Sequence, residues 1–233
     1  MRALVTGCGR RLGFYLCQQL VAAGWQVVGQ YRREHAGLDA LRALGGELIQ
    51  ADFTHQEEVQ ALGQAVAQGP LDLLIHNASL FEPEAADLNA QLSQFERCYQ
   101  VHMAAPLALN RLLAERLAHS GRGSIIVITD IYIHAPPAAM AAYVASKAGL
   151  HALAMSAARE LAPRVRVNTI EPGPILFLDE HDTAWREQVL ARTPLACEGG
   201  LQPIWQAVAM LIDNPFMTGA SLRVDGGRSL ATL

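Results

Sequence analysis

Short apolar runs alternate with amphipathic stretches along the whole chain. The runs cover residues 2–6, 26–30, 48–51, 71–75, 124–129, 165–170 and 221–224. Most are rich in Val, Ile and Leu, with few polar residues between them, as strands read when helices cover both faces of a parallel sheet. Between them, apolar residues recur at helical spacing over about 12–23, 38–44, 54–68, 92–118, 143–162 and 203–212. Gly24, Gly45-Gly46, Gly69-Pro70 and Pro163 supply the stops. Thr54 with Glu57 three residues on predicts a capping box. Pro106 predicts a bend in the long central helix. The polar segment 179–192 predicts a short helix over a cleft. The alternation predicts an α/β fold: one doubly wound parallel sheet of about seven strands with helices on both faces. No linker, repeat or low-complexity tract divides it, so residues 1–233 read as one domain with halves of about 1–120 and 121–233.

Composition narrows this picture. A chain of 233 residues with 51% hydrophobic and 17% charged residues can bury a full core. No apolar run reaches the roughly 18 residues a membrane span needs, and the N-terminus enters a strand directly, so a cytoplasmic protein is expected. A net charge of −4 gives nucleic-acid binding no support. Cys8, Cys17, Cys98 and Cys197 lack metal-site or disulfide spacing, and neither they nor the histidines predict a metal.

The candidate chemistry gathers at strand ends, where sheets of this kind place ligands. Tyr143 and Lys147 stand four residues apart, on one face of a helix. An ammonium beside a phenol stabilises the phenolate, so the Tyr143 pKa is expected to fall. Asp130 follows an apolar strand and brings a carboxylate near that pair. The run Thr6-Gly7-Cys8-Gly9-Arg10-Arg11-Leu12-Gly13 lies between the first strand and first helix. Its glycines allow backbone to approach a pyrophosphate, and the helix N-terminus favours the charge. The second strand ends at Tyr31-Arg32-Arg33. Arginines there suit the 2′-phosphate of NADPH, where an acidic residue would suit NAD. Asp52, followed by Phe53, ends the third strand, placed either to accept from the adenine amino group or to cap a helix.

Thr6-Gly7 with Gly13, Asn77-Ala78-Ser79, Tyr143-x-x-x-Lys147, Pro172-Gly173 and Val224-Asp225-Gly226-Gly227 together resemble the short-chain dehydrogenase/reductase family over essentially the whole chain. The resemblance implies a Rossmann fold, hydride transfer without a metal, and a homodimer or homotetramer built on helices 92–118 and 143–162. It places cofactor contacts at Gly7, Gly9, Arg10, Arg11, Leu12, Gly13, Tyr31, Arg32, Arg33, Asp52, Phe53, Asn77, Ala78, Ser79, Tyr143, Lys147, Pro172 and Gly173.

Three departures resemble the pteridine reductase branch: Arg11 for a loop glycine, Ser79-Leu80-Phe81 where a glycine follows Asn77-Ala78, and Asp130 for the usual serine. Ile175-Leu176-Phe177, Glu180-His181-Asp182 and the terminal Asp225-Gly226-Gly227-Arg228 resemble the same branch. The implied activity is NADPH-dependent reduction of a 7,8-dihydropterin, with dihydromonapterin as expected substrate and dihydrofolate as a second. Asp130, Tyr143 and Lys147 are the implied catalytic group; Arg11, Ser79, Phe81, Asp130 and Tyr143 would hold the pterin. Phe81 reads equally as a core residue, apart from the resemblance. His102 stands where the family has an asparagine that orders water near the lysine, which leaves a proton relay open. Glu171 is expected to be solvent-exposed rather than to read the pterin. Reduction of a small ketone or acyl substrate is the alternative activity, and an NADPH-binding sensor without turnover is the alternative of another class.

Overall fold

The computed structural model describes residues 1–179 and 181–231, so Glu180 of the Glu180-His181-Asp182 motif lies outside the described residues. The strands are β1 (Arg2–Thr6), β2 (Gln26–Tyr31), β3 (Glu47–Gln50), β4 (Leu73–His76), β5 (Gly123–Ile128), β6 (Val165–Pro172) and β7 (Ser221–Val224). All seven pair in parallel in the order β3-β2-β1-β4-β5-β6-β7. The order reverses between β1 and β4, and a crevice for ligands opens at such a point.

Two apolar layers flank the sheet, because successive strand residues point to opposite faces. Leu4, Leu74, Ile125, Val127 and Val167 face one layer, packed against α3 (Gln56–Val66), α5 (Ala105–His119) and α6 (Ala141–Leu161). Ala3, Val5, Leu73, Ile75, Ile126 and Ile170 face the other, against α1 (Arg11–Ala22), α2 (Gly37–Ala43) and the helix 202–213. The predicted strands and helices are all present, most within one or two residues at each end.

Three expectations need correction. The capping box at Thr54 does not form: His55 occupies the N-cap of α3, and its side chain caps no backbone N–H of the helix. Thr54 instead gives both its N–H and its hydroxyl to Asp52 Oδ1, at 2.9 and 2.8 Å. Glu58, not Glu57, reaches back, accepting from the Asp52 N–H at 2.6 Å. The long central helix begins earlier, as α4 (Leu88–Tyr99), because Asp87 caps it by accepting from the Ala90 N–H at 3.0 Å. In place of the bend expected at Pro106, the helix widens in the turn before it. Residues Gln100–Ala104 form a π-turn in which Ala105 N–H bonds to Gln100 five residues back, with helical backbone angles on either side of the turn. Proline cannot donate and crowds the carbonyl four residues before it, and one extra residue in the turn relieves both problems. The segment after β6 holds α7 (Thr183–Ala191), capped by Asp182, and α8 (Gln202–Asp213) follows it.

Candidate active site

The site is built on the tips of β1, β4 and β5 and on one face of α6. Thr6 ties the first two tips together. Its hydroxyl accepts from the N–H groups of Asn77 and Ala78, both at 3.0 Å, and donates to Ile75 O at 3.3 Å. The Asn77 amide donates to the carbonyls of Thr6 at 2.9 Å and Gly7 at 3.2 Å. The loop is packed tightly enough to require glycine: a Cβ on Gly13 would fall 2.1 Å from Gly7 O, and one on Gly7 would fall 2.8 Å from Ala78 Cα. Sequence reasoning missed Gln30. This buried amide accepts from Gly7 N–H at 2.9 Å and donates to Ala51 O at 2.6 Å. Its signal was a glutamine inside an apolar strand.

The cofactor expectations can be tested against the donor set. Helix α1 begins with no side-chain cap and no acidic residue in its first turn. A helix N-terminus without a neighbouring carboxylate suits an anion. At the β2 tip, Glu34 turns to Tyr31 and Arg42. The Tyr31 hydroxyl donates to it at 2.8 Å and Arg42 bonds it at 3.0 Å. Those bonds hold the Glu34 carboxyl below its usual range. Arg32 and Arg33 are exposed beside it. Two guanidiniums with the neighbouring carboxylate already occupied suit a phosphate dianion. Burial alone would raise the Asp52 pKa, but its two bonds from Thr54 outweigh this and lower it, so Asp52 is ionised. The Phe53 side chain lies in the core. Leu12 is half-buried against the second apolar layer. Gly173 is needed for packing: its N–H bonds to Val224 O at 3.0 Å, and a Cβ there would fall 2.6 Å from Asp225 Cα.

Arg11 is the first residue of α1 and has φ of 52°. A side chain in this left-handed region costs about 1–2 kcal/mol relative to glycine. Its guanidinium reaches across the cleft to Leu176 O at 2.6 Å. The strained backbone therefore carries a side chain that joins the cofactor loop to the segment leading into α7. There Phe177, His181 and Trp185 form an aromatic cluster, with Phe177 and Trp185 ring centres 5.6 Å apart.

The catalytic candidates are brought together. The Tyr143 hydroxyl donates to Asp130 Oδ2 at 2.9 Å, and Asp130 Oδ1 accepts from Tyr132 N–H at 2.9 Å. Lys147 is buried and donates to Ile128 O at 3.0 Å. Phe81, partly exposed, meets the Tyr143 ring edge-on with centres 5.3 Å apart. It therefore lines the site instead of filling the core.

The expected fall in the Tyr143 pKa is overturned. Burial pushes it well up, and the charge of Asp130 and the bond to it push the same way. The Lys147 nitrogen lies 5.8 Å from the ring centre and gives its proton to a strand carbonyl. Burial lowers the Lys147 pKa to about 8, against the opposing pull of Asp130. Burial also raises Asp130, outweighing the bonds and the nearby Lys147 charge that lower it.

His102 settles into a structural role. Its Nε2 lies 3.0 Å from the Leu80 N–H, which can only donate, so Nε2 is an acceptor. Nδ1 then carries the proton and donates to Ser146 Oγ at 2.7 Å, and Ser146 donates to Tyr143 O at 2.7 Å. Ser79 Oγ also lies 2.9 Å from Nε2. Burial, with help from the Lys147 charge, lowers the ring's pKa well below its ordinary value. A neutral ring with both nitrogens committed holds Ser79 and Leu80 in place.

Glu171 is also a correction. Its side chain is wholly buried, paired with His134 and Arg223, because β6 runs two residues further than predicted and turns Glu171 under α6.

The family model of short chain dehydrogenases matches residues 1–187. A dihydromonapterin reductase from Enterobacter sp. (strain 638) is 36% identical over 232 residues, covering 97% of this chain and 96% of that protein. Among solved structures, FolM alternative dihydrofolate reductase 1 from Brucella canis, complexed with NADP, superposes with a TM-score of 0.88 at 28% identity, covering 100% of this chain and 95% of that one. Acetoin dehydrogenase from Enterobacter cloacae superposes with a TM-score of 0.85 at 27% identity, covering 99% of this chain and 96% of that one.

Proposed function

The chain belongs to the short chain dehydrogenase family, and from that premise we propose that it is an NADPH-dependent reductase of 7,8-dihydropterins, acting on dihydromonapterin and secondarily on dihydrofolate. NADPH, when bound, supplies a hydride to C6 of the pterin. The first turn of α1, which carries no acidic residue, and the Arg32-Arg33 pair would hold its phosphates. Lys147 would hold the nicotinamide ribose. Phe81 would cover one face of the flat ring, and Ser79 with Arg11 would bond its polar edge. Reduction also requires a proton at N5. Asp130 holds its proton more tightly than an ordinary carboxyl, yet is far more acidic than the buried phenol beside it. The Asp130–Tyr143 pair would deliver that proton, with Asp130 as its source.

The observation that carries this reading is the hydrogen bond between Asp130 and Tyr143 beneath Phe81. The names of the similar reductases support it. The likeness to acetoin dehydrogenase favours a second reading, reduction of a small ketone. Steady-state NADPH oxidation with dihydromonapterin, dihydrobiopterin, dihydrofolate and simple ketones separates the two. Pterin turnover that Phe81→Ala lowers about tenfold supports the first; ketone turnover indifferent to that change supports the second. We further read the enzyme as cytoplasmic and as a homodimer or homotetramer. Supporting the latter, Leu88, Leu92, Phe95 and Tyr99 form an exposed apolar stripe along α4. Light scattering tests the assembly.

A further inference from the structure

A second ionisable cluster lies behind the catalytic one. Glu171, wholly buried, stands at the end of β6. Its Oε2 meets His134 Nε2 at 2.9 Å and accepts from Arg223 Nε at 3.2 Å. Among the described residues its Oε1 accepts no hydrogen bond, and it lies 3.8 Å from His151 Nε2. The partners come from three directions. Arg223 is opposite Glu171 in the β6–β7 register. His151 is four residues beyond Lys147 on the same face of α6. His134 is four residues beyond Asp130, in the connector that joins β5 to α6. A buried carboxylate is costly unless it is paired. Arg223 alone would provide that pairing, and the bond from His134 does something more. The connector begins at Asp130, turns through Ile131–Ile133, and leads to Tyr143. Its turn is fastened at Asp130 by the Tyr132 N–H and at His134 by Glu171.

We propose that Glu171 is a positioning residue for the reaction: by holding His134 it fixes the connector that aims Asp130 at Tyr143, and Arg223 holds Glu171 in turn. The proposal rests on the reading of Asp130 and Tyr143 as the proton-delivering pair. Charge works in the same direction as geometry. The negative charge of Glu171 adds to burial in raising the Asp130 pKa, while Lys147 opposes it. The groups facing Glu171 are His134 from the connector, His151 from α6 and Arg223 from β7, with Asp130 and Lys147 beyond them. An ion pair that only joined β7 to the sheet would leave the pH profile of turnover unmoved.

Two variants test this, assayed from about pH 5 to pH 9 with whichever substrate is turned over. Glu171→Gln keeps an acceptor for His134 and Arg223 and removes the charge. Its alkaline limb of kcat should move to lower pH, with NADPH affinity within about twofold of the parent. His134→Ala, at a side chain 39% exposed, keeps the charge and frees the connector. Its kcat should fall about ten- to a hundredfold with KM for NADPH little changed, and this variant decides the matter should Glu171→Gln misfold. Carbon-13 titration of the Asp130 carboxyl, without substrate, should show it losing its proton at lower pH in Glu171→Gln. That readout holds whether the substrate is a pterin or a ketone. Unchanged kcat in His134→Ala, or an Asp130 titration unmoved in folded Glu171→Gln, would overturn the proposal.

Discussion

The Tyr143 hydroxyl donates a hydrogen bond to Asp130 Oδ2 at 2.9 Å, and each of the two groups holds a proton more tightly than it would in water. A serine in place of Asp130 would provide a hydrogen bond but no acid. Asp130→Asn should therefore lower kcat for a dihydropterin by about 10²–10⁴-fold and leave NADPH affinity unchanged. In the parent, turnover should fall as pH rises through the raised Asp130 pKa. The same shift has a stability consequence. The folded state binds this proton more tightly than the unfolded chain, so stability is lost as pH rises between the ordinary and the raised value. Asp130→Asn should thus melt at a higher temperature than the parent at about pH 8, as read by calorimetry. A lower Tm with undiminished kcat would count against this role.

Acid should weaken the fold through its buried histidines. Burial lowers His76 to about 4, against the bond to Asn110 that raises it, and it lowers His102 too. Both are neutral in the native state and take up protons on unfolding. Their stabilisation is complete above the ordinary histidine value near 6.5 and is lost as pH falls from there toward their lowered values. His76 alone accounts for about 3 kcal/mol over that span. Urea midpoints at about pH 7 and pH 5 should differ accordingly, and His76→Gln should reduce the difference.

Cofactor choice should follow from the β2 tip. With Glu34 held by Tyr31 and Arg42, the exposed Arg32 and Arg33 are the pair proposed to meet the 2′-phosphate. The double change Arg32→Ala with Arg33→Ala should weaken NADPH by about a hundredfold and NADH by far less, in a fluorescence titration. Equal losses would remove the pair from that role.

Much of this was legible in the sequence, because a parallel sheet leaves strong marks. Runs rich in Val, Ile and Leu, with glycine stops between them, marked seven strands and their order of appearance. Tyr143, Lys147 and Asp130 were identifiable from spacing and strand ends. Less legible was anything set by burial. The phenol was expected to be acidic because a lysine stood four residues away, but Lys147 bonds Ile128 O and the low-dielectric surroundings win. Glu171 was read as exposed because its partners His134, His151 and Arg223 lie 20 or more residues away in sequence. The Thr54 cap failed because Asp52, two residues earlier, took both of its donors.

Arg11 offers a test of function against stability. At φ of 52° a glycine would be relaxed, by about 1 kcal/mol, whereas the arginine reaches Leu176 O. Arg11→Gly should therefore leave the denaturation midpoint near that of the parent while raising KM for the pterin about tenfold. A large loss of stability without a kinetic effect would show that the side chain serves the fold.

The widened turn at Gln100–Ala104 bears on how this chain tolerates change in length. It holds one residue more than a regular helical turn, with helical backbone at both ends. Removing one residue there would restore regular winding and leave buried Leu109, Leu113 and Leu117 facing the sheet, whereas the same deletion in a regular stretch would rotate everything beyond it by about 100°. The surface connections can lengthen or shorten through descent at little expense. Within this long helix, the widened turn is the place where one residue can be lost without turning the far half out of register.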